Sequence, residues 1–163
     1  MYLCGHPGTG KTSLLNQVLA NLKQKDYTFE LFMYNAMTYS DVRSFAITLH
    51  QDVTERLTGK ECKRIGRNTI DDEDAADLVA RALIGTACKR NKDTGVLESK
   101  IHKIIVIDEV DQFNSNEKAF TMLVRNILKG NKEQHTNTSI VGIANSVDLP
   151  FRKKHSAIAM RDC

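Results

Sequence analysis

The chain has 163 residues, of which 41% are hydrophobic and 26% charged, and its formal net charge at pH 7 is +3. This length suits one domain with a sizeable core, and the composition excludes an intrinsically disordered chain. The net charge is too small to demand a nucleic-acid partner, although basic residues cluster at Lys60–Arg67 and at Arg152–Lys154. A solvated loop is the simpler interpretation of each cluster.

The cysteines and the apolar runs exclude further classes of protein. The four cysteines are scattered, without a Cys-x-x-Cys pair or a histidine at metal-ligand spacing, which argues against a zinc site and a disulfide framework. No apolar run approaches the ~18 residues of a membrane span, and the N-terminus lacks a signal-peptide pattern. We therefore expect a soluble, intracellular protein with reduced thiols and no membrane partner.

Strand and helix patterns alternate in the first third of the chain. The short apolar segment Tyr2–Cys4 precedes a glycine-rich loop, and apolar residues at helical spacing predict a helix from that loop to about Gln24. The segment Phe29–Asn35 has the pattern of a strand. A second helix is predicted from one apolar face, with Thr38 and Asp41 as a T-x-x-D capping pattern before it. The face comprises Val42, Phe45, Ala46, Leu49, Val53 and Leu57.

The middle of the chain predicts a third helix. Residues 58–69 are polar and show no periodicity. The acidic run Asp71–Asp74 suits a helix start, and Lys89 and Arg90 suit its end, because these charges oppose the helix macrodipole. The apolar face between them is formed by Val79, Ala82, Leu83 and Ala87.

The last part of the chain predicts two strands and a helix between them. Lys103–Glu109 is a continuous apolar run that ends in acids, as in a parallel strand buried on both faces. Ser115 is placed to cap the following helix and Gly130 to stop it, and Ser139–Asn145 is the last clear strand. The alternation predicts an α/β fold, with a parallel sheet wrapped by helices and ligands at the carboxyl ends of its strands.

A complete phosphate-loop pattern, Gly5-x-x-x-x-Gly10-Lys11-Thr12, lies between the first strand and the first helix. Chance would place this pattern in a chain of this length about once in two hundred. Glycines allow backbone N–H groups to approach phosphates, Lys11 reaches the β- and γ-phosphates, and the Thr12 hydroxyl is suited to Mg²⁺. The predicted nucleotide-binding residues are Gly5, Pro7, Gly8, Thr9, Gly10, Lys11, Thr12 and Ser13.

Acidic and amide side chains at the ends of two later strands predict hydrolysis. Asp108 is placed to hold Mg²⁺ through its water shell, and Glu109 to polarise the water that attacks the γ-phosphate. Asn145 ends the next strand, where its amide can contact both the γ-phosphate and that water. Asp111 has a non-catalytic interpretation at least as good, in which it bonds loop N–H groups. A guanine-reading NKxD motif is absent, which favours ATP.

Three segments of the sequence resemble the motifs of a known family. "GHPGTGKT", "IIVIDEVDQF" and "IVGIANSVDLPFR" resemble the Walker A, Walker B and sensor-one motifs of AAA+ ATPases. The "NAM" after the second strand and the "GIAN" to "DLP" stretch are similar to the replication-initiator clade, the family of origin recognition complex subunit one and cell division control protein six. The resemblance covers nearly the whole chain.

This resemblance implies a fold and a function. It implies a three-layer αβα P-loop NTPase over residues 1–163, the AAA+ ATPase core, with ATP and Mg²⁺ as cofactors. Gly8, Gly10, Lys11 and Thr12 would bind ATP-Mg²⁺, Thr12 and Asp108 would hold the metal, and Glu109 and Asn145 would be catalytic. Members of the clade are ATP-dependent switches in replication initiation that act with neighbouring initiator subunits, origin DNA and the replicative helicase. The expected location is nuclear in a eukaryote and cytoplasmic otherwise.

The chain also departs from the family pattern. A fifth strand, a helical lid and a winged helix would follow in the family, so we expect a fragment that is incomplete at both ends, or a degenerate relative. Without the fifth strand, Tyr2–Cys4 would form an unprotected edge, and hydrolysis by this chain alone would be slow and weak. Arg161 and Arg152 are candidates for an arginine finger that acts on a neighbour's ATP.

Two other functions stay open from the sequence. One is a nucleotide-stabilised subunit that does not hydrolyse ATP, which the missing lid favours and the intact Glu109 and Asn145 oppose. The other is another AAA+ activity, such as clamp loading or substrate remodelling. The DLP-x-R stretch and the lack of a zinc-binding cysteine cluster argue against a clamp loader.

Overall fold

Parallel strands form the centre of the structure, a computed structural model that describes residues 1–25, 27–62, 65–66, 69–87, 89–90, 97–98, 101–134 and 136–145. In chain order the helices and strands are β1 (Tyr2–Cys4), α1 (Lys11–Gln24), β2 (Phe29–Asn35), α2 (Val42–Thr58), α3 (Asp72–Ala87), β3 (Lys89–Arg90), β4 (Leu97–Glu98), β5 (His102–Asp108), α4 (Glu117–Gln134) and β6 (Thr138–Ala144). Two 3₁₀ turns, Ala36–Thr38 and Val110–Asn116, follow β2 and β5.

The main sheet has four parallel strands in the order β1-β6-β5-β2. This confirms the predicted α/β class, and each predicted strand lies within one residue of its observed bounds. Because all four strands run the same way, their carboxyl ends meet at one edge of the sheet. Among the described residues β1 pairs with β6 alone, so it lies at the edge of this sheet, as expected.

The central strand β5 is buried on both faces because its side chains alternate between two cores. Ile105 and Ile107 belong to the core on one side, and Val106 belongs to the core on the other. All three side chains are at most 2% exposed. This double burial explains the continuous apolar run in the sequence.

Helices cover both faces of the sheet, which gives the three layers implied by the resemblance. On one face α1 buries Leu15 and Leu19 against β5 and β6. On the other face α2, α3 and α4 pack on one another and on the sheet, around a larger core that includes Phe32, Phe45 and Leu123. Among the described helices, none combines the length and apolar character needed to cross a bilayer.

The capping pattern predicted for α2 is wrong by about one turn. The N-cap is Asp41, whose carboxylate accepts the Ser44 backbone N–H at 2.7 Å, while the Ser44 hydroxyl lies 3.4 Å from the Asp41 nitrogen. Thr38 lies in the 3₁₀ turn and donates instead to the Asn35 carbonyl at 2.8 Å. A serine at the third helical position replaces the usual acid in this capping box.

The predicted ends of α3 and α4 are also corrected. Lys89 and Arg90 lie beyond the end of α3 and form β3, which pairs antiparallel with β4. Ser115 lies within a 3₁₀ turn, and α4 begins after it at Glu117. Gly130 does not stop α4, which continues to Gln134. Gly130 is buried, and a Cβ there would make an ordinary contact with the Thr136 methyl group at 3.5 Å, so neither a helix stop nor packing explains this glycine.

Candidate nucleotide-binding site

A cleft of about 360 Å³ opens at the carboxyl edge of the sheet, beside the start of α1. Its volume is in the range of small-molecule pockets. Most of the predicted site residues line it: Pro7, Gly8, Gly10, Lys11, Thr12, Ser13, Asp108, Glu109 and Asn145. The structure therefore brings together side chains that lie up to 138 positions apart in the sequence.

The glycine loop has a backbone that few other residues adopt. Gly8 and Gly10 have φ angles of +78° and +79°, in the left-handed region that favours glycine. Gly10 is also the N-cap of α1, and no side chain caps the helix. The first N–H groups of α1 thus lack a side-chain acceptor, and with the helix dipole they form a ready site for an anion.

Gly5 and Thr9, which were also predicted to bind the nucleotide, shape the loop from outside the cleft lining. The Thr9 hydroxyl donates to the His6 carbonyl at 2.9 Å, and the Gly5 carbonyl accepts from the Lys11 ammonium at 2.9 Å. The His6 carbonyl accepts from Lys11 as well, at 3.0 Å. These bonds hold the loop closed over the stem of Lys11.

The third contact of Lys11 crosses to the far end of the chain. Its ammonium donates to Asn145 Oδ1 at 3.1 Å. The Asn145 amide in turn donates through Nδ2 to the Glu109 carboxylate. Asn145 therefore joins a cation from the glycine loop to an anion from the end of β5, and it orients both side chains through one planar amide.

A second pair of oxygens lies beside this bridge. The Thr12 hydroxyl donates to Asp108 Oδ2 at 2.9 Å, and Asp108 Oδ1 accepts the Glu109 backbone N–H at 2.9 Å. A hydroxyl and a carboxylate are hard oxygen ligands of the kind that Mg²⁺ prefers. Their placement next to Lys11 fits a metal ion that accompanies phosphates.

Glu109 has a strained backbone. Its φ of 54° and ψ of 39° place it in the left-handed region, where non-glycine residues are uncommon. Such strain persists where the surrounding structure holds the residue in place, and it clusters at functional sites. Here it turns the chain sharply after β5, so that consecutive carboxylates Asp108 and Glu109 have different partners.

Asp111 is the residue whose importance the sequence did not reveal. Its Oδ2 accepts the backbone N–H of Asn145 at 2.7 Å. The sequence predicted bonding to loop N–H groups as one of two interpretations of Asp111. It did not indicate that the N–H group belongs to Asn145. Only the proximity of β5 and β6 in the sheet brings these residues together.

Some sequence predictions lie outside the described residues. Arg152 and Arg161, the two arginine-finger candidates, belong to the segment 146–163. In the basic cluster at 60–67, Lys63, Arg64 and Arg67 also lie outside them, whereas Lys60 is described and exposed. Their predicted roles stay predictions.

Comparison with protein-family models decides the family. A model described as AAA domain matches residues 1–149, most of the chain. The chain belongs to this family of AAA domains. The matched span includes the glycine loop, both acids after β5 and Asn145, so the residues that line the cleft all lie within the family's own domain.

The chain is similar to known proteins named as origin recognition complex subunit 1 and cell division control protein 6, the family that the motifs predicted. Origin recognition complex subunit 1 of Dictyostelium discoideum is 23% identical over 92% of this chain, and that of Schizosaccharomyces pombe is 24% identical over 99%. The human cell division control protein 6 homolog is 24% identical over 93% of the chain. The chain spans only 20–23% of the length of these three relatives.

A solved structure shares the fold. The Aeropyrum pernix ORC1 protein, determined in complex with DNA, superposes with a TM-score of 0.56 at 21% identity. The match covers 90% of this chain and 33% of that one. This likeness supports the AAA+ architecture of strands and helices seen here.

Proposed function

We propose that this protein binds and hydrolyses ATP as the AAA+ core of a replication initiator. The observation that carries the proposal is the Lys11–Asn145–Glu109 bridge, which lies beside the Thr12–Asp108 pair in one cleft. A phosphate-binding cation, an amide, a carboxylate base and a pair of oxygen ligands are the groups that phosphoryl transfer to water requires.

Backbone and side-chain groups of this chain would bind the phosphates and Mg²⁺ and orient the base. The N–H groups at the start of α1 and the Lys11 ammonium face the cleft and would hold the phosphates. Thr12 and Asp108 would hold Mg²⁺, which when bound neutralises charge on the phosphate oxygens. Glu109 accepts a hydrogen bond from Asn145, and we propose that it would accept the proton of the attacking water while the Asn145 amide keeps it aligned.

The initiator role has its support in the relatives. Two of the three relatives described above are named as subunits of an origin recognition complex, the third is named for control of cell division, and the structural neighbour was solved on DNA. We infer that residues 1–163 form an AAA+ core that switches with ATP during origin recognition and helicase loading, with other initiator subunits and origin DNA as partners. The eukaryotic relatives favour a nuclear location.

Nucleotide binding gives the first test. Lys11→Ala removes the cation together with its bonds to the Gly5 and His6 carbonyls. We therefore expect ATP affinity to fall by about 10-fold or more, since hydrogen bonds to a charged group contribute roughly 1.5–3 kcal/mol. Isothermal titration calorimetry with ATP, GTP and Mg²⁺ measures this loss. Lys23→Ala is the matched control because it lies on the same helix about 18 Å from Lys11.

The outcomes separate the proposal from its alternatives. ATP binding that Lys11→Ala weakens and Lys23→Ala does not would support the site. Equal affinity in the wild type and Lys11→Ala would reject it. Tight ATP binding with no turnover would instead favour the nucleotide-stabilised assembly subunit.

DNA binding tests the initiator role. If the chain is an ATP-dependent switch, its affinity for duplex DNA should rise when ATP and Mg²⁺ are present, and this rise should vanish in Lys11→Ala. Fluorescence anisotropy over a salt titration measures it, because phosphate contacts give a steep loss of affinity with salt. An affinity for DNA that changes with neither salt nor nucleotide would contradict a role in DNA binding.

A further inference from the structure

A carboxylate from the turn after β5 holds the backbone at the end of β6. The bond from the Asn145 N–H to Asp111 Oδ2 is 2.7 Å long and joins residues 34 positions apart. The last paired residues of β1 and β6 are Cys4 and Ala144, so Asn145 lies just beyond the strand ladder. A backbone N–H at that position needs another acceptor, and Asp111 supplies it.

The turn that carries Asp111 is anchored in the core. Val110 and Phe113, on either side of it, are 2% and 3% exposed. The Phe113 ring packs between the rings of Phe45 and Phe120, with centroids 5.5 and 5.3 Å away. The position of Asp111 is therefore set by α2 and α4, and it cannot follow a movement of Asn145 without disturbing that packing.

The other oxygen of Asp111 is enclosed near β1. Asp111 Oδ1 is buried and has no hydrogen-bond partner among the residues that the structure describes. The Tyr2 ring lies directly on Gly142, where an added Cβ would come within 3.1 Å of it. Burial raises the pKa of the Tyr2 hydroxyl and the charge of Asp111 raises it further, which keeps the phenol neutral beside the carboxylate. The Asp111 carboxylate thus acts on the Tyr2 hydroxyl from β1 as well as on the Asn145 backbone after β6.

We propose that Asp111 is a positioning residue for hydrolysis. It fixes the backbone of Asn145, so that the side-chain amide of Asn145 lies between the Lys11 ammonium and the Glu109 carboxylate. The consequence for turnover rests on the proposed ATPase function, whereas the consequence for the Asn145 backbone does not. Loss of the bond would let the amide drift, and a misplacement of about 1 Å can reduce turnover by about 100-fold.

Three variants of Asp111 distinguish the hydrogen bond from the charge. Asp111→Ala removes the acceptor, and we expect kcat for ATP to fall by about 10- to 100-fold while ATP affinity stays near that of the wild type. Asp111→Asn keeps an oxygen that can accept the same bond, so it should retain most of the turnover. Asp111→Glu keeps the charge but lengthens the side chain by one methylene, and it should lose turnover as the alanine variant does. The glutamate variant replaces the alanine variant in this test if the alanine variant folds poorly.

Amide hydrogen exchange supplies a readout that does not depend on activity. In the full chain, the Asn145 N–H should be protected in the wild type and in Asp111→Asn, and it should exchange faster in Asp111→Ala and Asp111→Glu. A purely structural role would lower the unfolding temperature without changing kcat per folded molecule. Unchanged Asn145 exchange in Asp111→Ala, or unchanged kcat, would overturn the proposal. If the wild type hydrolyses no ATP, the proposed function fails, and Asn145 exchange still decides whether Asp111 holds this backbone.

Discussion

The two ends of the parallel sheet each carry a polar hydrogen-bond network and a strained non-glycine residue, and they use them differently. Glu109, with φ 54°, follows β5 at the carboxyl end, and Asn137, with φ 49°, precedes β6 at the amino end. These are the only non-glycine residues with positive φ in the described part of the chain. Strain alone therefore does not mark a functional site in this protein.

The amino-end network lies largely in the interior. Asn131 Oδ1 accepts from the Thr138 backbone N–H at 2.8 Å and from the Thr136 hydroxyl, while its Nδ2 donates to the Thr138 carbonyl. The Lys103 ammonium donates to the Thr136 carbonyl at 3.0 Å. Lys103, Thr136 and Thr138 are at most 3% exposed, so these bonds support the junction of α4 and β6.

The carboxyl-end network is open to a cleft. Its members come from the glycine loop, the end of β5, the 3₁₀ turn and the end of β6, and most of them are only partly buried. A ligand that enters the cleft can take over their bonds, whereas Lys103, Thr136 and Thr138 at the amino end are at most 3% exposed. The difference teaches that accessibility, more than polarity or strain, separates the end of the sheet proposed to bind the nucleotide from the end that supports the fold.

The largest expected effect is a loss of ATP hydrolysis on substitution of Glu109, at the carboxyl end of the sheet. Glu109→Gln removes the proposed base but keeps the shape of the side chain, so ATP hydrolysis should fall by about 10²- to 10⁴-fold while ATP binding changes little. Single-turnover and steady-state assays measure it, with and without the proposed initiator subunits. Glu133→Gln on α4 is the control, because its exposed carboxylate has only a weak ion pair with Lys129 at 3.9 Å. Equal turnover in both variants would remove Glu109 from the mechanism.

A substitution of Asn131, at the amino end of the sheet, should change the stability of the fold and leave ATP binding unchanged. Asn131→Ala leaves buried groups of Thr136 and Thr138 without their partner, and we expect the free energy of unfolding to fall by about 2–3 kcal/mol. Urea denaturation measures this, with Arg125→Ala on the exposed side of α4 as the control. ATP affinity of the folded variant should match that of the wild type. A selective loss of affinity would show that the two ends are coupled and would break the comparison.

The smallest expected effect is at Asp41, a polar residue near the carboxyl end of the sheet that does not line the nucleotide cleft. Asp41 caps α2, and its replacement by alanine should lower the free energy of unfolding by about 1 kcal/mol at neutral pH. Asp41→Ser, which keeps a capping oxygen, is the control. ATP affinity should not change in either variant, because Asp41 does not line the nucleotide cleft.

The same cap predicts a pH dependence. Burial raises the pKa of Asp41, but the Ser44 N–H and hydroxyl outweigh it, and the pKa lies below the ordinary value of 3.8. A lowered pKa in the folded state stabilises the fold at higher pH, and this stabilisation is lost as the pH falls through the folded pKa. The difference between the wild type and Asp41→Ala should therefore be full above about pH 5 and shrink in acid. A difference that grows in acid would contradict this sign.

Local patterns predicted some features of this protein better than others. The four strands of the main sheet were predicted to within one residue, and for the central strands β5 and β6 this is because a parallel strand buried on both faces requires an apolar run of its own length. The ends of the helices were predicted less accurately, since Ser44 can complete a cap without an acid and Gly130 does not stop α4. Bonding of Asp111 to a loop N–H group was one interpretation of the sequence and is confirmed, but its partner Asn145 could not be predicted. Asn145 is distant in sequence and contributes a backbone group, which leaves no trace in residue type.

The sequence by itself determined the candidate site residues. Local motifs identify the glycines, Lys11, Thr12, Asp108, Glu109 and Asn145, because phosphate and metal binding demand particular residue types at particular spacings. The tertiary structure decided which of these groups touch. Parallel pairing of β5 with β6 brings Asn145 to Lys11 and Glu109, and the packing of Phe113 sets the turn that holds the Asn145 backbone. Spacing in a chain specifies neighbours along one element, whereas contacts between elements follow from how their apolar faces are buried.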